Sequence, residues 1–503
     1  MEKYKSLRSS SRTGRAEGCT PIRPTRDAFR IIARNMARRG ARISFGRPTR
    51  EGVRLLARPV DPLALRAWLA RRPHAFALES VFRGGEAGRW SFYGCDPVAA
   101  VRIGGWRDPF ERLSKSLRPW RKRSPPADGP PWTAGWVGYV SYEAGAFIEP
   151  RVGRPRHRLP LPLAWWGLYD TVLAQDHETG RWYAAGAELP RSRSPLADRL
   201  DRLIAQMDRA KEAPTERPAG PTATRRRRLR SDSTPAQFRA MVRRALDYIA
   251  AGDVFQVNLA QRFRGPRREP AWQIYERLRE ANPAAFAAMI DLGSDAAVAS
   301  SSPELFLSLR AGVVRTRPIK GTRPRTGDAA ADARARRELQ SSEKERAELT
   351  MIVDLERNDL GRVCRPGSIE VTDPGSLEAH PTVFHRAATV RGELRPECDA
   401  LDLLRAAFPG GSISGAPKVR AMQIIRELER SARGPYCGAI GWIGLDGDLT
   451  LNLVIRTLVL PPGEVLVSVG GGIVADSDPH AEYAETLAKA EGMFRALGHR
   501  VRD

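Results

Sequence analysis

Lysine is scarce in this chain of 503 residues: only nine of its 83 basic residues are Lys. Cysteine is scarcer. Cys19, Cys95, Cys364, Cys398 and Cys437 are scattered, odd in number and form no CxxC pair. That argues against a zinc ribbon or a disulfide scaffold, and it fits a reducing, cytoplasmic setting. No apolar run approaches the roughly 18 residues a membrane span needs, and no apolar signal-peptide core follows the basic start, so no membrane partner is expected. A phosphate-binding glycine loop, a dinucleotide fingerprint and a Ser-His-Asp signature are also missing.

Acidic residues number 58 against 83 basic ones, a net charge of +25. Such a balance raises the question of a polyanionic partner. The charge is unevenly placed, however. From Thr234 to Asp503 there are 37 basic and 35 acidic residues, so the excess belongs to the N-terminal half. A nucleic-acid partner is therefore not expected for the C-terminal half.

The length predicts two to four domain-sized units. Residues 1–50, with 14 basic and 3 acidic residues, read as a basic, disordered extension, within which 27–39 has the pattern of a short amphipathic helix. Residues 51–208 alternate strand-like runs, such as Trp90–Tyr93 and Trp136–Tyr139, with Pro- and Gly-rich turns. Residues 209–233 read as a Pro/Arg-rich linker, and 234–503 as a catalytic domain. The latter opens on Thr234-Pro235, a helix N-cap followed by a first-turn proline, with Phe238, Val242, Leu246 and Ile249 at helical spacing.

Short polar strings crowd the C-terminal half: SSPELF (301–306), RPIKGTRPR (317–325), SEKERAELTMIVDLERNDLGRVC (342–364), PTVFH (381–385), FPGGSISGAPKVRAM (408–422), GPYCGAIGWIG (434–444), IRT (455–457), GGG (470–472) and DSDPHAEYAETLAKAE (476–491). Lys320 lies in an expected turn and is one of only four Lys after Thr234. A lysine kept where arginine is the rule points to an amine that must lose its proton; a surface loop lysine is the other reading. Glu345 and Glu348 share one helix face. Glu482, Glu485 and Lys489 share another, behind an Asp478-Pro479 start. Two such faces can hold a divalent cation or simply carry surface ion pairs. Gly470, Gly471 and Gly472 let backbone amides approach an anion, or mark a tight bend.

Taken together, the strings resemble the chorismate-utilising enzymes over about residues 55–500. AFALES (75–80), WSFYGCDP (90–97) and GWVGYVSYEAG (135–145) extend the likeness into the N-terminal part. The resemblance implies an α/β (α+β) fold with two large, mostly antiparallel sheets packed as a sandwich and helices outside. It also implies Mg²⁺ held by Glu348 and Glu485, with Glu304 as general acid. Gly321, Thr322, Tyr436, Arg456, Gly470, Gly471, Gly472 and Lys489 match substrate-binding positions, and His385 an active-site histidine. Gln256 stands where isochorismate-type members carry a lysine base. Lys320 stands where anthranilate synthases carry Ala, and in the resemblance lysine at this place is the mark of aminodeoxychorismate synthase component I. Amination of chorismate through a lysine adduct, on the route to 4-aminobenzoate and folate, is thus the expected activity. Anthranilate synthase component I is the alternative. A basic nucleic-acid-associated protein with an inactive synthase domain is the alternative of another class. Ser80 matches a tryptophan contact of the family, although NPAAF (282–286) replaces the NPSPY of tryptophan-inhibited members. No cysteine sits in the GxCxGxQ elbow of a glutaminase, so ammonia is expected from a separate glutamine amidotransferase subunit.

Overall fold

In a computed structural model of the chain, residues 50–81, 88–117, 129–189, 192, 194–210, 229–379 and 383–499 are described. The expected basic extension (Arg50 apart), its amphipathic helix and residues 211–228 of the linker lie outside these.

Two antiparallel sheets organise the described residues. One has twelve strands, in the order Arg50–Leu55, Trp182–Glu188, Thr171–Asp176, Trp90–Gly94, Phe76–Glu79, Phe286–Gly293, Ala296–Ser302, Thr457–Leu460, Glu464–Ile473, Gln256–Pro266 and Gly415–Ala416, with Arg230–Ser231 paired to Gln256–Pro266. The other has ten, in the order Ile319–Pro324, Val383–Glu393, Val313–Arg317, Leu305–Arg310, Leu449–Leu453, Ala439–Gly444, Gly135–Val140, Ala164–Tyr169 and Ala99–Ile103, with Glu370–Ala379 beside Val383–Glu393. Residues before 190 and residues after 255 supply strands to both sheets.

Strand periodicity explains why the sheets stack. Successive side chains point to opposite faces, so a strand buried on both sides reads as a continuous apolar run. Ala288 and Ile290 join a core between the sheets, whereas Met289 joins the core under the helices. Val172 and Leu173 divide the same way. Phe76 and Phe92 of the first sheet meet Tyr169 and Trp442 of the second edge-on. Phe76 is fully buried, and truncating such a ring to Ala costs about 3–5 kcal/mol.

Helices cover the outer faces. The helix Pro235–Ala250 starts on the expected cap: Thr234 Oγ1 accepts from Gln237 N, and the Gln237 side chain accepts from Thr234 N. The helix Pro479–Ala496 starts on Asp478, whose carboxylate accepts from His480 N and Ala481 N. Between them in sequence, Glu343–Gly361 starts on Ser342, whose Oγ accepts from Glu345 N. No helix among the described residues is long and apolar enough to cross a membrane.

Candidate functional site

Lys320 lies in an edge strand rather than the expected turn. Ile319–Pro324 pairs with Val383–Glu393, matching Lys320 to Arg386 and Thr322 to His385, with Gly321 left over as a bulge. Gly321 has φ +75°, and a Cβ there would stand 2.6 Å from Leu339 Cδ1. Only glycine suits that backbone, and bulges of this kind re-aim neighbouring side chains. Lys320 Nζ is 3.9 Å from Glu348 Oε2. On the partner strand, His385 Nδ1 is 2.9 Å from Thr322 Oγ1.

Glu304 follows the strand Ala296–Ser302 and is buried. Ser412 Oγ donates to its Oε1 at 2.7 Å, and Ile319 N at 3.4 Å. Burial raises its proton affinity, and Ser412, Lys320, the Ile319 amide and Lys489 only partly offset this, leaving a pKa of about 7. A carboxyl at that value can be protonated at neutral pH and still give its proton away.

The two acidic helix faces come within electrostatic reach of each other, Glu348 feeling the charge of Glu485. Burial raises Glu348 above the usual carboxylate range; Lys320 opposes the rise, while Glu345 and Glu485 add to it. In Glu485 burial is outweighed by Lys489, with help from Lys320 and Lys344, so its pKa is lowered. Lys489 Nζ lies 2.5 Å from Glu485 Oε1 and donates to Gly470 O at 3.1 Å. Glu482 accepts from Ser477 Oγ at 2.6 Å. Among the described residues no three His, Cys, Asp or Glu side chains form a closed metal cage. The donor set nevertheless suits Mg²⁺, which commonly takes one or two carboxylates and fills its shell with water and substrate oxygens. The mutual repulsion felt by Glu348 is what such a cation would relieve.

Gly470, Gly471 and Gly472 form neither loop nor bend. They lie in Glu464–Ile473, matched to Ala260, Leu259 and Asn258. Pairing with Thr457–Leu460 is confined to Leu466 and Val467, so among the described residues the glycine end of that edge has no second strand partner. A Cβ on Gly470 would meet Leu259 O at 2.5 Å; one on Gly471 would meet Glu482 Oε2 at 3.1 Å. Arg456, in the left-handed region at φ +52°, has no ion-pair partner among the described residues. Burial lowers its pKa, while Tyr436 and Glu485 act in the opposite sense. Tyr436 is itself buried, which pushes its phenol well up. Gln256 is fully buried beside Gly472, and among the described residues neither its Oε1 nor its Nε2 has a hydrogen-bond partner.

Lys320, Glu304, Glu348, Glu485 and Lys489 are thus brought within electrostatic reach of one another. Ser80 is placed apart, at the end of Phe76–Glu79 in the twelve-stranded sheet, where its N–H donates to Ser91 Oγ at 3.0 Å. A cavity of about 1090 Å³ opens between the sheets next to it, lined by Leu78, Glu79 and Phe286. Sequence reasoning missed Ser412 and Arg323. The string FPGGSISGAPK flagged the Ser412 loop, but a serine in a polar loop does not declare its partner. Arg323, one of many Arg, reaches Glu345 Oε1 at 3.4 Å.

The family described as chorismate binding enzyme matches residues 80–495. Anthranilate synthase component 1 of Streptomyces coelicolor is 41% identical over 449 residues, covering 87% of this chain and 86% of that protein. Aminodeoxychorismate synthase component 1 of Klebsiella aerogenes is 40% identical over 390 residues, covering 78% and 83%. The crystal structure of anthranilate synthase component I from Streptococcus pneumoniae superposes with a TM-score of 0.69 at 31% identity, covering 82% of this chain and 93% of that one.

Proposed function

The chain belongs to the chorismate-binding enzyme family, and from that premise we propose that it is the aminating component of an aminodeoxychorismate synthase. The single observation that carries this reading is the amine at position 320, 3.9 Å from Glu348 and acting electrostatically on Glu304 and Glu485. Relatives of both names are about equally similar, so overall identity does not choose between the two activities.

Chorismate is a dicarboxylate with an allylic hydroxyl at C4. Arg456, the open strand edge at Gly470–Gly472 and Lys489 would bind its carboxylates. Once its ammonium has given a proton to solvent, the Lys320 amine attacks C2 as Glu304 protonates the C4 hydroxyl, which departs as water. Ammonia then attacks C4, the bond between C2 and Lys320 breaks, and the Glu304 carboxylate takes a proton from the new ammonium group. One ammonia is consumed and one water released. Glu348 and Glu485 would hold Mg²⁺, which draws electron density from the ring carboxylate and so from the diene. Thr322 and His385, joined by their hydrogen bond, would line the strand beside Lys320. Ammonia would come from a separate glutamine amidotransferase subunit.

Incubation of the purified chain with chorismate, Mg²⁺ and an ammonium salt, followed by product identification, tests the reading. 4-Amino-4-deoxychorismate is expected. Anthranilate with pyruvate would instead support the second reading, component I of anthranilate synthase, which the Streptomyces coelicolor relative favours.

A further inference from the structure

The helix Glu343–Gly361 carries four carboxylates into or towards the protein: Glu345, Glu348, Glu356 and Asp359. Three of them pair with a cation. Glu345 meets Arg323 at 3.4 Å, Glu348 meets Lys320 at 3.9 Å and Asp359 meets Lys418 at 2.5 Å. Glu356 pairs with none among the described residues. Its hydrogen bond comes from Thr316 Oγ1, which donates to Oε2 at 2.9 Å. Both groups are dry, with Thr316 2% and Glu356 8% exposed.

An unpaired carboxylate in such surroundings is costly, and a buried group of this kind takes up a proton instead. Burial first, and the charge of Glu304 next, push Glu356 well above the usual carboxylate range; Asp359 adds to the effect, and Thr316 and Lys418 oppose it. Thr316 belongs to the strand Val313–Arg317, three residues ahead of Ile319, whose amide donates to Glu304, and four ahead of Lys320. Glu356 lies eight residues, a little over two turns, beyond Glu348 on one rigid helix.

We propose that Glu356 is a positioning residue: its hydrogen bond with Thr316 fixes the helix bearing Glu348 against the strand that leads into Lys320. It does this as a neutral acid, so it adds no charge to a site already crowded with carboxylates. A small slide of helix against strand changes the reach of Glu348 towards metal and of Lys320 towards substrate. Partners that orient a metal ligand without touching the metal are commonly worth 10–100-fold in affinity. The inference rests on the metal assignment proposed above.

The test is Mg²⁺ binding to the full-length protein by calorimetry, without chorismate, for Glu356→Ala, Thr316→Val, Glu356→Gln and Glu348→Gln. Glu356→Ala and Thr316→Val should each weaken Mg²⁺ by roughly tenfold. Glu356→Gln keeps the acceptor oxygen and the neutral state, so it should bind within about twofold of wild type; in turnover measured against pH at constant free ammonia, the limb set by deprotonation of Glu304, raised by burial to about 7, should stay where it is. Wild-type Mg²⁺ binding in Thr316→Val would overturn the proposal, and so would a Glu356→Gln variant as weak as Glu356→Ala. A Glu304 limb lowered in Glu356→Gln would also overturn it, because it would mean that Glu356 had carried a charge. If Glu356→Ala fails to fold, as judged by circular dichroism, Thr316→Val decides. Glu348→Gln separates two failures. Undiminished Mg²⁺ binding there removes the metal assignment and this inference together. Loss there, with wild-type binding in Thr316→Val, removes this inference alone.

Discussion

Ser412 Oγ donates a hydrogen bond to Glu304 Oε1 across 2.7 Å, holding a buried carboxyl whose pKa has risen to about 7. The serine by itself favours the ionised form. Burial wins because removing water penalises a carboxylate more than a hydroxyl donor and the charges of Lys320 and Lys489 recover.

Glu304 therefore couples activity and stability to pH in the same direction. As the acid it must be protonated, so at a constant concentration of free ammonia turnover should fall as pH rises through about 7. The folded chain binds this proton more tightly than the unfolded chain, where the pKa lies near 4.5. The stability gained from it is fully present below that lower value and is lost as pH rises through about 7. Glu304→Gln should be inactive. At pH 8 it should be more stable than wild type by up to about 3 kcal/mol, with the gain shrinking towards pH 5. Melting curves at the two pH values check this; an equal offset at both would refute the assignment.

Lys320→Ala should abolish the adduct that intact-mass spectrometry can detect in wild-type enzyme quenched during turnover. Lys320→Arg should fail equally, because a guanidinium does not lose its proton in a protein. Aminodeoxychorismate formed by either variant at the wild-type rate would rule out the nucleophile.

Gly471 has little room beside it. A Cβ there would stand 3.1 Å from Glu482 Oε2 and 3.7 Å from both Glu485 Oε1 and Lys489 Nζ. Gly471→Ala should push these side chains aside and raise the KM for chorismate roughly tenfold, since small displacements at such sites are expensive. The melting temperature should change little, because the strand keeps its pairing with Gln256–Pro266. A wild-type KM would show that this face is more compliant than it looks.

The two carboxylate helices were legible in the sequence because helical spacing fixes which residues share a face, and caps such as Asp478-Pro479 declare where a helix starts. The sandwich followed from the family resemblance; composition alone would not have produced it. The environments of Lys320 and of the three glycines were not legible. PIKGT reads as a turn from local composition and GGG as an anion-approaching stretch or a tight bend, but long-range pairing with Val383–Glu393 and with Gln256–Pro266 draws them into strands. Glu356 was hidden for a related reason. In MIVDLERNDLG it looks like one more helix acid, and only the strand carrying Thr316, forty residues earlier, gives it a partner.

The isolated chain should use ammonium salts and not glutamine. A glutaminase needs a nucleophilic thiolate, and thiolates require a lowered pKa. Burial raises Cys364 to about 11 and Cys437 to about 12, so both persist as thiols, and Cys95 is raised further, again by burial first. None of the five cysteines lies in a GxCxGxQ string. Free ammonia is the reacting species in the proposed mechanism, so at fixed total ammonium its supply grows with pH while protonated Glu304 declines. The two trends oppose each other, and ammonium-dependent turnover should pass through a maximum above the pKa of about 7 of Glu304. Adding a glutamine amidotransferase subunit should confer glutamine use and shift the maximum downward, since delivered ammonia removes the dependence on bulk pH. The check is product formation against pH for the chain alone with ammonium, the chain alone with glutamine, and the chain plus amidotransferase with glutamine. Robust turnover in the second arm would mean that the chain contains a glutaminase site of its own.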